Sequence, residues 1–468
     1  MLRCRARCLH LGATALWGAQ APAQKPVSPS PPLNLDDRKV FQHKANWEIT
    51  RGLLVFLLCS SPQLVQKAPR LLSVSRRVLG RRLWGSLLRL TLYGQFVAGE
   101  TPEEIKATLQ RLQQLKVRPL LAVPIEEDVG QAKEGEGWYD TNAQAMLACL
   151  DLSVRGLSGE SPRNPMMQLK ITALMGAELC VKLTSVKTIT LRLQEQEGPL
   201  DLTVERVLAL LKGEELSFGC LSPEENLHFQ KSLSRLRSVA EYAVEKKVRV
   251  LVDAEYTYIN PALSLVTMAM MAACNTQVPW IWNTYQAYLK DTLKRLSHDM
   301  ALAERLGVCF GVKLVRGAYL EKERQRAREK GYRDPVHATW EATNESYRRC
   351  LDFALDRASH AGGRFELIVA THNKASVEHA VRRIEEMDIN KNDGPVSFGQ
   401  LLGMCDHISL PLGHAGYAVY KSIPYGSVEE VIPYLIRRAH ENRSVLQGIR
   451  EERDLLRSEL WRRILRKP

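Results

Sequence analysis

At 468 residues, with 45% hydrophobic and 25% charged side chains, the chain suits one large α/β domain with added elements, or two domains. A formal charge of +13 is compatible with nucleic acid, an anionic membrane or acidic ligands, and does not choose among them. Ten scattered cysteines, with no CxxC pair and no Cys/His ligand array, argue against a disulfide framework and against a metal site.

The chain opens with MLRCRARCLHLGATALWGAQ, in which arginines are spaced among apolar and small residues and no acid occurs before Asp36. That is the composition of a mitochondrial presequence, and a Pro/Ser-rich linker follows it to residue 35. From 36 to 164 the apolar residues recur at three- and four-residue spacings, around Leu79–Leu92 and Ile105–Leu115, so a helical N-terminal region is expected. The run Leu53–Cys59 reads as a core helix and Ala262–Cys274 as a buried one; neither reaches the ~18 apolar residues of a membrane span.

After Pro165 the pattern changes. Short apolar runs at Met167–Leu174, Val248–Asp253, Trp280–Thr284, Val308–Val315, Phe365–Thr371, Val396–Leu402 and Tyr417–Ser422 read as strands. Glu224–Lys246, Leu289–Leu306, Val336–Ala361 and Ser376–Met387 read as the helices between them. Alternation of this kind predicts a parallel sheet with helical crossovers, and seven strands suit a distorted (β/α)8 barrel from 165 to 445 with one strand poorly patterned. A doubly wound sheet is the alternative. Neither GxGxxG nor GxxxxGK[ST] occurs, so a dinucleotide would have to bind without a Rossmann fingerprint. A basic helix is expected from 446 to 468.

In such a barrel the chemistry sits at the carboxyl ends of the strands, and these ends are polar. Lys170 interrupts an apolar strand, Asp253 and Glu255 close another, and Gln286 follows Trp280–Thr284. Lys313 and Arg316 alternate with apolar residues, and Thr371, His372 and Asn373 end a further strand. Each alone has a bland explanation: a snorkelling lysine, a helix cap, a bonded structural histidine. Together they would face one pocket. Near the C-terminus Tyr434 meets Arg437 and Arg438 at i+3 and i+4 on a helix expected to start after Pro433. Two guanidinium forks suit a carboxylate ligand, although an exposed basic helix would look the same.

The ordered motifs MQLKITAL, VLVDAE, TYQAYLKD, KLVRGAYLEKE, VATHN, QLLGMCDHIS and PYLIRRAHEN resemble the catalytic domain of proline dehydrogenases, from Met167 to Asn442. The resemblance implies a barrel whose last helix lies over the strand ends, and FAD held non-covalently. By motif position, Gln286, Lys313, Val315, Gly317, Ala318, Thr371, His372 and Asn373 would contact FAD. Arg437 and Arg438 would grip the substrate carboxylate, and Lys170, Asp253, Leu314, Tyr319 and Tyr434 would line the substrate side. Cationic groups such as Lys170 or Lys313 would stabilise the reduced cofactor, and Asp253 or water would take the amine proton. Proline-specific members carry a tyrosine where this chain has Ser422. A serine opens space and offers a hydrogen bond, which predicts trans-4-hydroxy-L-proline as substrate, giving 1-pyrroline-3-hydroxy-5-carboxylate; the alternative is that L-proline remains preferred. The implied electron acceptor is ubiquinone, with the enzyme on the matrix side of the mitochondrial inner membrane. The basic C-terminal segment would either touch that membrane or lie solvated. A Schiff-base lyase using Lys170 and a non-enzymatic scaffold are the readings from other classes, and no motif supports nucleic-acid binding.

Overall fold

A computed structural model describes residues 33–35, 40–125, 135–155, 165–193, 202–392, 394–441 and 446–465. The expected presequence and nearly all of the linker lie outside them. Four helices come first: α1 (Asn46–Cys59), α2 (Pro62–Leu90), α3 (Leu92–Phe96) and α4 (Pro102–Gln114). The chain then enters β1 (Arg118–Ala122), α5 (Gly137–Arg155) and β2 (Met166–Leu169). Helices α6 (Ala177–Leu193), α7 (Val204–Leu211) and α8 (Pro223–Glu245) lead to β3 (Arg249–Val252), α9 (Asn260–Cys274), β4 (Ile281–Gln286), α10 (Thr292–Leu306) and β5 (Phe310–Val315). The last part runs α11 (Leu320–Lys330), α12 (Trp340–His360), β6 (Phe365–Ala370), α13 (Lys374–Glu386), β7 (Val396–Leu401), α14 (Asp406–His414), β8 (Val419–Pro424), α15 (Val428–Glu441) and α16 (Leu446–Ile464).

The eight strands form a closed parallel barrel in chain order, sealed by β1 against β8. The barrel was expected; its first strand was not, because β1 lies inside the stretch 36–164 read as helical. Its sequence RPLLA is short, contains a proline and is buried along nearly its whole length, so it shows no alternation. The run Met167–Leu174 is a strand only as far as Leu169, after which Ile171–Ala173 forms a 3-10 turn. Helix α15 starts at Val428, with Pro433 inside it, rather than after that proline. Its start is set by Ser427 and Glu430, whose side chains bond each other and each other's backbone N–H. The Leu53–Cys59 run is core on one side only: Val55 and Phe56 are buried, but Leu54, Leu57 and Leu58 face solvent.

Alternation along each strand divides the residues into two sets. One set packs outward under the helices. The other fills the axis with Leu120, Met166, Leu251, Trp282, Ile368 and Tyr420. Gly311 leaves room for Trp282, whose ring lies 2.3 Å from where a Cβ would stand. Below this layer Arg249 bonds Glu366 through two parallel N–H···O contacts of 2.6 Å, closing the amino end of the barrel.

Helix α16 is tied into the fold along part of its length. Arg463 donates to the carbonyls of Phe41 (2.9 Å) and Lys44 (2.7 Å), which ties the C-terminal end to the start of α1. Further in, buried Glu452 accepts the backbone N–H groups of Cys405 and Asp406 at the start of α14. Asp406 pairs with Lys44 at 2.6 Å and with Lys421 of β8 at 2.8 Å.

Burial, with Asp406 beside it, raises the Glu452 carboxyl to about 7. Asp406 is held well below the usual range: burial pushes it up, but Lys421 and Lys44 outweigh that. An acid with a raised folded-state pKa stabilises the fold below the ordinary carboxylate range, and that contribution is lost as pH rises through its folded value. The urea midpoint of the parent protein is therefore expected to fall between about pH 5 and 8, and Glu452→Gln to flatten that slope. Equal slopes in the two proteins would remove Glu452 as the source.

Candidate active site

The inward-facing residues at the carboxyl end of the barrel form one bonded chain. Ser422 Oγ, on β8, donates to Gln168 Oε1 on β2 at 2.6 Å. Gln168 Nε2 donates to Asp253 Oδ1, just past β3, at 3.3 Å. Lys313 Nζ, on β5, donates to the same oxygen at 2.7 Å. Four strands thus meet through four side chains, and the Lys313–Asp253 ion pair anchors them at the low-dielectric end. Lys170 is buried one step above Gln168 on the same face.

On the β6 side, Leu401 N–H donates to His372 Nε2 at 3.1 Å. Burial, then nearby Lys421, lowers His372 to about 3, so its ring is neutral and the proton sits on Nδ1. That Nδ1 is buried and has no partner among the described residues, which leaves a hydrogen-bond donor waiting at the barrel mouth. Thr371 Oγ1 accepts from Arg316 Nε (3.3 Å) and from Asn373 N–H (3.2 Å). Asn373 caps α13 by accepting the Ser376 N–H at 2.9 Å. Gln286 is buried and donates to the Glu255 carbonyl at 2.8 Å. Val315 ends β5 on the Lys313 side, with Ala318 half-buried beyond it. Gly317, between them, has φ +128°, and a Cβ there would meet the Tyr288 ring at 2.0 Å, so only glycine fits.

A third group closes the site from above. Ser422, Tyr434 and Arg438 line one cavity of about 280 Å³ between the ends of β7 and β8, α15, α3, α2 and the end of α1. The Arg438 guanidinium lies 5.3 Å from the centre of the Tyr434 ring. Arg437 is the next residue on α15 and is also half-buried.

The structure does not bring every expected residue together. Leu314 lies on the opposite face of β5 from Lys313, within the cluster packed under the helices. Tyr319 opens α11 and packs on Tyr256, with ring centroids 4.3 Å apart. One residue of this network was not singled out in the sequence. Gln168 stands two positions before Lys170, a strand-period signal that could have placed it on the same face. Arg316, expected with Lys313 at the end of its strand, is not a surface residue. It is instead half-buried, bonded to Thr371, Asn344 and Ser376, and 5.0 Å above the Tyr347 ring.

Comparison with known proteins adds the following. The family model described as proline dehydrogenase matches residues 105–451. The chain is 54% identical to a hydroxyproline dehydrogenase of Xenopus laevis over 473 residues, covering 99% of each chain. It is 53% identical to the Homo sapiens hydroxyproline dehydrogenase over 437 residues, covering 92% of this chain and 93% of that one. Identity falls to 34% over 558 residues against the Homo sapiens proline dehydrogenase 1, mitochondrial, covering 96% and 92%. Among solved structures, proline utilization A from Bdellovibrio bacteriovorus superposes with a TM-score of 0.61 at 18% identity, which speaks to the fold. The match covers 88% of this chain, which spans 38% of that larger one.

The chain Ser422–Gln168–Asp253–Lys313 makes a measurable claim. Ser422→Ala and Gln168→Leu should each cost about 1–2 kcal/mol, and the double variant less than their sum by about 1 kcal/mol. Additive losses in urea unfolding would show that the two side chains do not act together.

Proposed function

We propose that this chain, which belongs to the proline dehydrogenase family, oxidises trans-4-hydroxy-L-proline to 1-pyrroline-3-hydroxy-5-carboxylate, with FAD as cofactor and ubiquinone as electron acceptor. The chain is a dehydrogenase, and the open matters are substrate, cofactor and acceptor. One observation carries the substrate: Ser422 faces the same cavity as Tyr434 and Arg438, and its hydroxyl is bonded to Gln168. A ring hydroxyl would find a polar partner there, whereas L-proline, the second reading, would offer that pair only a methylene. Relatives named hydroxyproline dehydrogenase, at 51–54% identity, support the same choice over those named proline dehydrogenase 1, at 31–34%.

The residues fit FAD. The unpartnered His372 Nδ1–H is a buried donor, and a flavin ring offers carbonyl and nitrogen acceptors. Lys313, Lys170 and Val315 would hold the ring from the strand ends. Gln286, Gly317, Ala318, Thr371 and Asn373 would frame it, the side chains of Gln286, Thr371 and Asn373 being tied into the protein. When bound, FAD supplies the acceptor for the hydride lost from the ring carbon beside nitrogen.

The protein's own work is then positioning and proton handling. Arg437 and Arg438 hold the substrate carboxylate in their forks, which fixes the ring against rotation. Tyr434 closes the pocket beside Arg438. The amine must give up a proton before hydride can leave, and Asp253, on the network that reaches Ser422, receives it directly or through water. In all, two electrons and two protons leave the C–N bond, enough to reduce a quinone to a quinol. We place the enzyme in the mitochondrion, on the matrix side of the inner membrane, from its acid-free cationic N-terminal segment. A relative at 34% identity carries mitochondrial in its name.

Purified protein should bleach its flavin absorbance, without oxygen, at lower concentrations of trans-4-hydroxy-L-proline than of L-proline. Bleaching mainly with L-proline would sink the substrate proposal and keep the family. Ser422→Tyr should move the kcat/KM ratio toward L-proline by about tenfold or more, and Arg438→Met should raise KM for both by about 100-fold.

A further inference from the structure

Helix α2 has a composition that its packing does not explain. Its span Pro62–Leu90 carries seven Lys or Arg and no Asp or Glu. Arg76 and Arg81 pair with Glu429, and Arg89 with Glu100. Lys67, Arg70, Arg77 and Arg82 have no ion pair among the described residues. Trp84 and Leu88 pack inward on α15. Leu71, Val74 and Val78 recur at three- and four-residue steps, and beyond a break in the helix at Gly80 (φ 70°) Leu83, Leu87 and Leu90 recur at four- and three-residue steps; all six stand exposed, Val78 by 77% and Leu83 by 67%. Leu54 and Leu57 of α1 are exposed as well. Lone exposed leucines need no account; two such runs, one on each side of the break, do.

The cavity that ends at Ser422, Tyr434 and Arg438 opens on this face. Leu58, Leu64 and Leu71 line it and are also at least 40% exposed, so they form its rim. Its wall is almost wholly apolar, built from Val65, Ala68, Leu72 and Phe96 in addition to the rim.

We propose that α2 docks in the headgroup layer of an anionic lipid bilayer and that the cavity beneath it opens onto that layer. Apolar side chains beside uncompensated cations on one helix suit an interface that is greasy within and negative at its surface. No described helix is long and apolar enough to cross a membrane, so the contact is with the surface. A second copy of the chain docked through the same helix would bring four unpaired cations against four. A nucleic acid would meet the cations but leave the apolar stripe in water. Helix α16 is the weaker candidate, since Arg462 and Arg463 are spent on buried Glu459. The docking stands apart from the substrate proposal; the cavity's use as a path for an apolar, lipid-borne electron acceptor rests on that proposal.

The test is sedimentation of the purified full chain with vesicles of phosphatidylcholine alone or mixed with phosphatidylglycerol, together with oxidation of hydroxyproline by a water-soluble dye. Binding should be about tenfold or more tighter to the mixed vesicles and should weaken with salt. Val78→Glu with Leu83→Glu should lower it by about tenfold or more and leave dye-linked oxidation unchanged. The same variant should lose rate with a long-tailed quinone supplied in the vesicles. Arg450→Gln with Arg457→Gln, on α16, should bind as the parent does. Equal binding to both vesicles, no binding by a chain that still oxidises substrate, undiminished binding by the α2 variant, or loss in the α16 variant would each overturn the proposal. A chain that binds vesicles but oxidises neither amino acid would overturn the substrate proposal and leave this one standing.

Discussion

A closed parallel barrel gives half of each strand's side chains no exit: they must fill the axis or satisfy one another at its mouth. The axis here is filled by Trp282, Tyr420 and aliphatic residues. At the mouth several inward positions, among them Gln168, Asp253, Lys313 and Ser422, are polar, and the Lys313–Asp253 ion pair is what makes them tolerable. An ammonium or carboxylate alone at that depth would carry a heavy desolvation cost. Paired, they give Gln168 a fixed acceptor, and Gln168 in turn fixes the hydroxyl of Ser422. The orientation of the Ser422 hydroxyl therefore descends from an ion pair three strands away round the barrel.

Seven of the eight strands were legible because each is a buried run rich in branched residues with polar ends. β1 was not, since RPLLA has too few residues and too uniform a burial for either period to show. The start of α15 was available in principle, through the Ser427 and Glu430 pairing, but Pro433 offered a louder and misleading signal. At the mouth of the barrel, the strand-end residues Asp253, Lys313 and His372 stood out in the sequence by type and order. Leu314 is turned away from Lys313 by the two-residue alternation of β5, which motif position alone does not reveal. Gln168 was visible but mute: a glutamine is at home almost anywhere, and only the distances to Ser422 and Asp253 single it out.

The charged cluster of Lys44, Asp406, Lys421 and Glu452 does for the outside of the barrel what the mouth network does for the inside. It joins the turn before α1, α14, β8 and α16, elements distant in sequence, and gives the buried Glu452 of the C-terminal helix its partners. Arg462 and Arg463 of that helix pair with buried Glu459, whereas Lys67, Arg70, Arg77 and Arg82 of α2 have no ion pair among the described residues.

Closure of β1 on β8 has a consequence for how the protein is made. The register that seals the barrel pairs Arg118 with Tyr420 and Ala122 with Pro424, so the first strand must wait for about 300 residues before its free edge is covered. Until then a growing sheet has two open edges, each a template for the wrong neighbour. The tie between Arg463 and the carbonyls of Phe41 and Lys44 comes later still. A chain cut short by even its last strand and two helices would lose the seam as well as part of the site, and its fate would be decided by chaperones rather than by catalysis.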